Sequence, residues 1–151
     1  MLSFLPAFLR GTLAILLLAL NTICCASVLF LLALVKLLPI PTLQKRCTII
    51  MIRVAEFWIL CNSGWMALTG NTRWEIEGLE QLDYRGWYLV TSNHQSWVDI
   101  IALQHVLNRR MPMLKFFLKQ ELIWVPIIGL CWWALDFPFM KRYSKAYLAK
   151  H

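Results

Sequence analysis

The chain opens on a long apolar stretch. From Gly11 to Val35 no charged residue interrupts it, with Arg10 before and Lys36 after. About 20 apolar residues suffice to carry a helix across a bilayer, so the pattern predicts a membrane helix over about 11–36. A cleaved leader is the rival reading. Its apolar region runs only about 7–15 residues and ends at a small-residue cleavage site. This run is longer and has no clear A-x-A, so an uncleaved anchor fits better. Pro39 and Pro41 then force a turn, since proline cannot continue a helix. A second apolar segment follows over about 43–68, and it carries Arg53 and Glu56 three positions apart, where they can pair on one helical face. It can return as the second arm of a hairpin. It can also lie in the interface with its charged face outward, the preferred reading, because charge near a bilayer centre is costly.

Gly70 and Asn71 mark a change of pattern. Residues 1–69 read as a membrane anchor and 70–151 as a separate domain. Arg73–Glu77 alternates like an edge strand, and 78–86 is a polar connection. Trp87–Ser92 is a β-prone apolar run suited to a buried strand. Ser96–Leu107 has helical spacing. Met113–Leu118 and Phe137–Met140 read as strands. Between them, Leu122–Leu135 reads as a short apolar helix interrupted by Pro126 and Gly129. A further helix is expected from Tyr143. Strands alternating with helices argue for an α/β fold.

Composition sharpens this picture. Sixty per cent of the residues are hydrophobic and the formal net charge is +7, from fifteen Lys and Arg against eight Asp and Glu. Basic residues dispersed among apolar neighbours suit anionic lipid headgroups better than nucleic acid. The five cysteines include no CxxC pair and read as small hydrophobes, implying neither a disulfide framework nor a metal site. Lys36, Lys45 and Arg46 after the first helix favour a cytoplasmic domain, although Arg10 blurs that bias.

Candidate chemistry lies in Leu89-Val-Thr-Ser-Asn-His-Gln-Ser-Trp-Val-Asp-Ile100. His94 falls between an expected strand and an expected helix, where α/β folds place their sites. Asp99 falls in the first turn of that helix. An imidazole titrates near pH 6.5 when unperturbed, so it can accept a proton at neutral pH. A carboxylate on its other nitrogen would fix its tautomer. The same letters have a plainer reading. Ser96-x-x-Asp99 matches a helix cap followed by an acidic residue, and His94 can be an exposed loop residue.

Asn93-His94-Gln95-Ser96-Trp97-Val98-Asp99 closely resembles the N-H-x-S-x-x-D block of the lysophosphatidic acid acyltransferase family (1-acylglycerol-3-phosphate acyltransferases). Trp74-Glu-Ile-Glu-Gly78 looks like that family's first strand. Lys119-Gln-Glu-Leu122, with Pro126 and Gly129, looks like its K-x-E-L…P-x-x-G stretch. Phe137-Pro-Phe-Met-Lys-Arg142 looks like its second motif. The likeness covers about residues 70–145 and is greatest to bacterial inner-membrane members.

The resemblance implies transfer of a fatty acyl group from acyl-CoA or acyl carrier protein to a lysophospholipid hydroxyl. Lysophosphatidic acid would then give phosphatidic acid in phospholipid synthesis or remodelling. It implies His94 as general base, Asp99 as its orienting partner and Arg142 on the acceptor phosphate. An arginine suits that role because it binds phosphate bidentately, although Arg142 can equally be a surface residue beside Lys141. Lys141, Asn93 and Ser96 fall on the substrate side of the same motifs. No metal or bound cofactor is implied, and the partners are membrane lipid, the lysophospholipid and the acyl donor. Lys119 reads more readily as a solvated charge than as a substrate contact. Trp124, Trp132 and Trp133 can line an acyl chain or be core and interfacial anchors.

The family's E-G-T-R-like block and its final proline motif are not found after residue 142. The chain therefore reads as the front half of such an enzyme, and activity of the short chain alone is doubtful. Two alternatives stay open: a membrane-bound fragment with a binding role or none, and an acyltransferase for another glycerolipid acceptor such as glycerol 3-phosphate.

Overall fold

The computed structural model describes residues 2, 4–70 and 72–141. Arg142 and the helix expected from Tyr143 lie outside the described residues.

Two long helices dominate. The first, α1, runs Ala7–Lys36, and the second, α2, runs Pro41–Thr69. Helix α1 begins a turn earlier than the uncharged run suggested, so Arg10 is helical. Pro41 sits in the first turn of α2, where its missing N–H costs nothing and its fixed φ already suits a helix. Lys36 occupies the last turn of α1, beside the negative end of the helix dipole. Gln44 Nε2 closes the hairpin by donating to the carbonyls of Lys36 and Leu38, each at 3.1 Å.

The helices pack along each other as a hairpin, and polar side chains fix their register. Asn21 Nδ2 donates to Asn62 Oδ1 at 2.8 Å and to the Trp58 carbonyl at 3.0 Å. Trp58 Nε1 donates to Thr22 Oγ1 at 3.0 Å. Elsewhere α1 turns Ile15, Leu16, Leu20, Ile23, Leu31 and Leu34 outward. Both helices are long and apolar enough to cross a membrane.

The Arg53–Glu56 pair forms, at 2.9 Å, with the Arg53 side chain 57% exposed and the Glu56 carboxylate turned inward. Glu56 is 1% exposed because the rest of the chain folds over it.

That remainder carries short helices and strands joined by long irregular stretches, so its few strands give the α/β expectation only weak support. Helix α3 runs Trp97–Leu107. A 3₁₀ turn at Gln120–Trp124 and helix α4, Ile128–Ala134, replace the single helix expected over 122–135. Pro126 divides them, and Ile127 takes a left-handed φ of 64° at the break. Strands β1, Leu118–Lys119, and β2, Phe139–Met140, form one parallel pair with Leu118 opposite Phe139 and Lys119 opposite Met140. The expected strands at 113–118 and 137–140 survive only as these short pieces. Those expected at 73–77 and 87–92 are not strands. A strand is held by a neighbour's N–H and C=O groups, and among the described residues neither segment has such a neighbour. Trp87 and Leu89, expected to be buried, are 99% and 81% exposed.

The core joins both parts. Leu29 of α1 and Met51 and Ala55 of α2 cluster with Leu118, Ala134, Leu135 and Phe137. Each fully buried large aliphatic side chain contributes about 1.5–3 kcal/mol, so the hairpin belongs to the folded unit. Helix α3 packs on α2, and Trp74 stacks on His105 of α3 with ring centroids 4.6 Å apart.

Candidate active site

Ser96 ends the loop before α3 in extended backbone, with φ −150° and ψ 165°, and begins the helix as its cap. Three residues later Asp99 turns its carboxylate back. Oδ2 accepts the Gln95 N–H at 2.6 Å and the Ser96 N–H at 2.8 Å, completing a capping box. The N-cap amide that the helix leaves unpaired is thereby satisfied, together with the amide before it.

The same oxygen faces the imidazole. His94 Nδ1 lies 3.6 Å from Asp99 Oδ2. That is within ion-pair range and longer than a direct hydrogen bond. The capping and pairing readings of Asp99 therefore coexist on one atom. Capping fixes the carboxylate without a contribution from His94, and the imidazole sits beside a preset anion.

The charge on that anion is well supported. The Ser96 and Gln95 amides, and then the nearby imidazole, hold the Asp99 carboxyl below its ordinary value of 3.8. Amide hydrogen bonds favour the ionised form because a carboxylate accepts more strongly than a neutral acid. Asp99 is thus ionised at neutral pH. The His94 side chain is 59% exposed and open to a molecule arriving from outside the chain.

The turn at 83–86 precedes this loop. Arg85 N–H donates to Asp83 Oδ1 at 2.9 Å, and Gly86 N–H to the Asp83 carbonyl at 2.9 Å. Tyr88 folds back so that its hydroxyl oxygen accepts the Asp83 N–H at 2.7 Å. A Cβ on Gly86 would strike the Tyr88 ring, so a larger residue there requires that exposed ring to move.

The other candidates divide between this loop and the edge of the strand pair. Asn93 and Ser96 are exposed on the His94 loop. Lys141 is exposed just past β2, on the edge where Lys119 ends β1. The parallel register brings both strands' carboxyl ends to that edge. No hydrogen bond or ion pair joins Lys141 to the His94 loop among the described residues. Arg142 lies outside them.

The tryptophans do not share one environment. Trp132 packs on the core, while Trp124 and Trp133 are exposed. Gly129 is closed in by the 3₁₀ turn, and a Cβ there would strike the Ile123 carbonyl oxygen. Its role is close packing. A cleft of about 270 Å³, lined by Lys36, Gln44, Trp133 and Asp136, opens beside the hairpin turn; of the three tryptophans it includes Trp133, and it includes neither His94 nor Asp99. Burial pushes the Cys131 thiol up to about 11, so it is not a thiolate nucleophile at neutral pH. Among the described residues no three His, Cys, Asp or Glu side chains gather as metal ligands would.

Tyr84 and Arg109 were not marked by sequence pattern, yet both approach the buried Glu56. The available signal was Glu56 itself, a carboxylate within an apolar helix.

A protein-family model described as Acyltransferase matches residues 73–151. No curated protein and no solved structure matches the chain. The matched span contains the His94 loop, α3, the 3₁₀ turn, α4 and both strands.

Proposed function

The chain belongs to the acyltransferase family, and on that premise we propose that it acylates a lysophospholipid at a membrane. The acyl donor is a thioester, acyl-CoA or acyl carrier protein. The acceptor is the free hydroxyl of lysophosphatidic acid, and the product is phosphatidic acid. The observation that carries this reading is the placement of His94 Nδ1 3.6 Å from Asp99 Oδ2 on an exposed loop.

The chemistry follows from these two side chains. His94 accepts the proton of the acceptor hydroxyl as its oxygen attacks the thioester carbonyl carbon. A new C–O bond forms, the C–S bond breaks, and the thiol leaves with the proton returned by His94. The ionised Asp99 steadies the imidazolium while it exists. General base catalysis of this kind contributes about 10²–10⁴ in rate.

Lys141 and Arg142, following β2, are assigned to the acceptor phosphate. Asn93 and Ser96 border the acceptor hydroxyl. The apolar helices α1 and α2 hold the domain at the bilayer, where acceptor and product both reside. In this reading the membrane is the bacterial inner membrane and the domain lies on its cytoplasmic side. Acyl transfer from labelled acyl-CoA to lysophosphatidic acid, in membranes carrying the intact chain or His94→Ala, tests it.

A further inference from the structure

Glu56 is the most enclosed charged side chain among the described residues, at 1% exposed, and the chemistry proposed above does not use it. Its carboxylate gathers three segments distant in sequence. Oε1 accepts the Tyr84 hydroxyl at 2.5 Å. Oε2 accepts Arg53 Nη1 at 2.9 Å and lies 3.9 Å from Arg109 Nε. Asn108 Nδ2 donates to the Glu56 backbone carbonyl at 3.1 Å. The Arg53 guanidinium also lies over the Tyr84 ring, 5.2 Å from its centroid.

Each contact secures a particular element. Asn108 is the C-cap of α3, and Arg109 follows it with a left-handed φ of 61°. Tyr84 belongs to the turn that leads into the His94 loop. Glu56 thus ties α2 both to the far end of α3 and to the start of the loop carrying His94. The His94–Asp99 pair sits at the opposite end of α3, whose 11 residues span about 16 Å. A rigid helix clamped at one end sets where its other end stands.

We propose that Glu56 is a positioning residue for acyl transfer. It fixes the His94–Asp99 pair relative to the α1–α2 hairpin, so that the imidazole meets an acceptor hydroxyl presented by a bilayer. The inference rests on the acyltransfer reading above and adds how the site is matched to a membrane-held substrate. A buried carboxylate with several donors suits the task, because it is left as an uncompensated buried charge if its partners let go. An apolar contact would slide more readily.

The test uses the full chain in lipid bilayers and compares Glu56→Gln, Tyr84→Phe and Arg109→Ala with the intact protein. Two acceptors are supplied: a long-chain lysophosphatidic acid held in the bilayer, and a short-chain, water-soluble one with the same headgroup. Displacement of a reacting group by about 1 Å costs up to about 100-fold. Glu56→Gln is therefore expected to lower kcat/KM for the bilayer acceptor by about tenfold or more, while that for the soluble acceptor stays within about twofold. Tyr84→Phe and Arg109→Ala should shift the same ratio by less. Amide hydrogen exchange gives a readout independent of activity. In Glu56→Gln it should rise about tenfold or more at residues 79–86 and 104–108 and stay unchanged in α1 and α2.

An equal fall for both acceptors, or unchanged exchange at 79–86 and 104–108, overturns the positioning role. An intact protein inactive on both acceptors overturns the acyltransfer reading instead. Exchange then still reports whether Glu56 clamps α3.

Discussion

Lys36 Nζ and Asp136 Oδ2 stand 2.7 Å apart although one hundred residues separate them in the chain. The pair joins the end of α1 to the turn just past α4, and Lys115 Nζ reaches the Asp136 carbonyl at 3.4 Å. It supports the same union of hairpin and domain as the apolar core. Its contribution is small, because the Asp136 side chain is 56% exposed and exposed pairs are worth about 0–1 kcal/mol. Lys36→Ala should lower unfolding stability in detergent by less than about 1 kcal/mol. A loss several times larger would mean that this contact, and not the core, holds the parts together.

The asparagine contact between the long helices should matter more in lipid. Asn62→Leu removes the acceptor of the 2.8 Å bond from Asn21 and leaves an amide facing an apolar neighbour. Interhelical hydrogen bonds of this type average about 0.6 kcal/mol and reach about 1.7. A loss in that range is expected in bilayer unfolding. Changing Asn21 as well should add little, since the two residues act as one pair.

Two glycines give opposite expectations. Gly129→Ala drives a Cβ into the Ile123 carbonyl oxygen, and overpacking of this kind costs about 1–3 kcal/mol. Gly64 lies in α2 with open space around it. Gly64→Ala should stabilise the chain by about 0.5–1 kcal/mol through better helix propensity. Thermal unfolding of the two variants checks both signs.

The depressed Asp99 carboxyl sets a pH window. A carboxylate whose folded pKa lies below its unfolded value contributes stability that is fully present above the unfolded value, near 3.8. That contribution is lost as pH falls through the lower folded value. Protection of the Gln95 and Ser96 amides, taken relative to the unstructured exchange rate at each pH, should therefore hold from neutral pH down to about 4 and fall below it. Asp99→Asn should remove the step.

Much of this arrangement was legible in the residues. The uncharged run from Gly11 to Val35 located α1, and Pro39 and Pro41 located the turn. Ser96-x-x-Asp99 located the start of α3, because caps are local and need only neighbouring atoms. The strands were not legible in the same way. Trp87–Ser92 has the composition of a buried strand, but a strand exists only where another segment supplies its ladder, and that depends on the whole fold. Ile127 hid a second limit. A left-handed φ at a β-branched residue runs against local preference, so the break between the 3₁₀ turn and α4 was marked only by Pro126. The Glu56 cluster was half visible. Arg53 could be paired with Glu56 by helical spacing, while Tyr84 and Arg109 reach it only through tertiary folding.

The central claim is that His94 moves the proton in an acyl transfer, and comparing His94→Ala with the intact chain tests it most directly. Membranes carrying each form receive labelled acyl-CoA and lysophosphatidic acid. The account predicts phosphatidic acid from the intact chain and a rate lower by about 10²–10⁴ for the variant, with equal protein in both membranes. Product formed equally by both forms, or by neither above empty membranes, would contradict it.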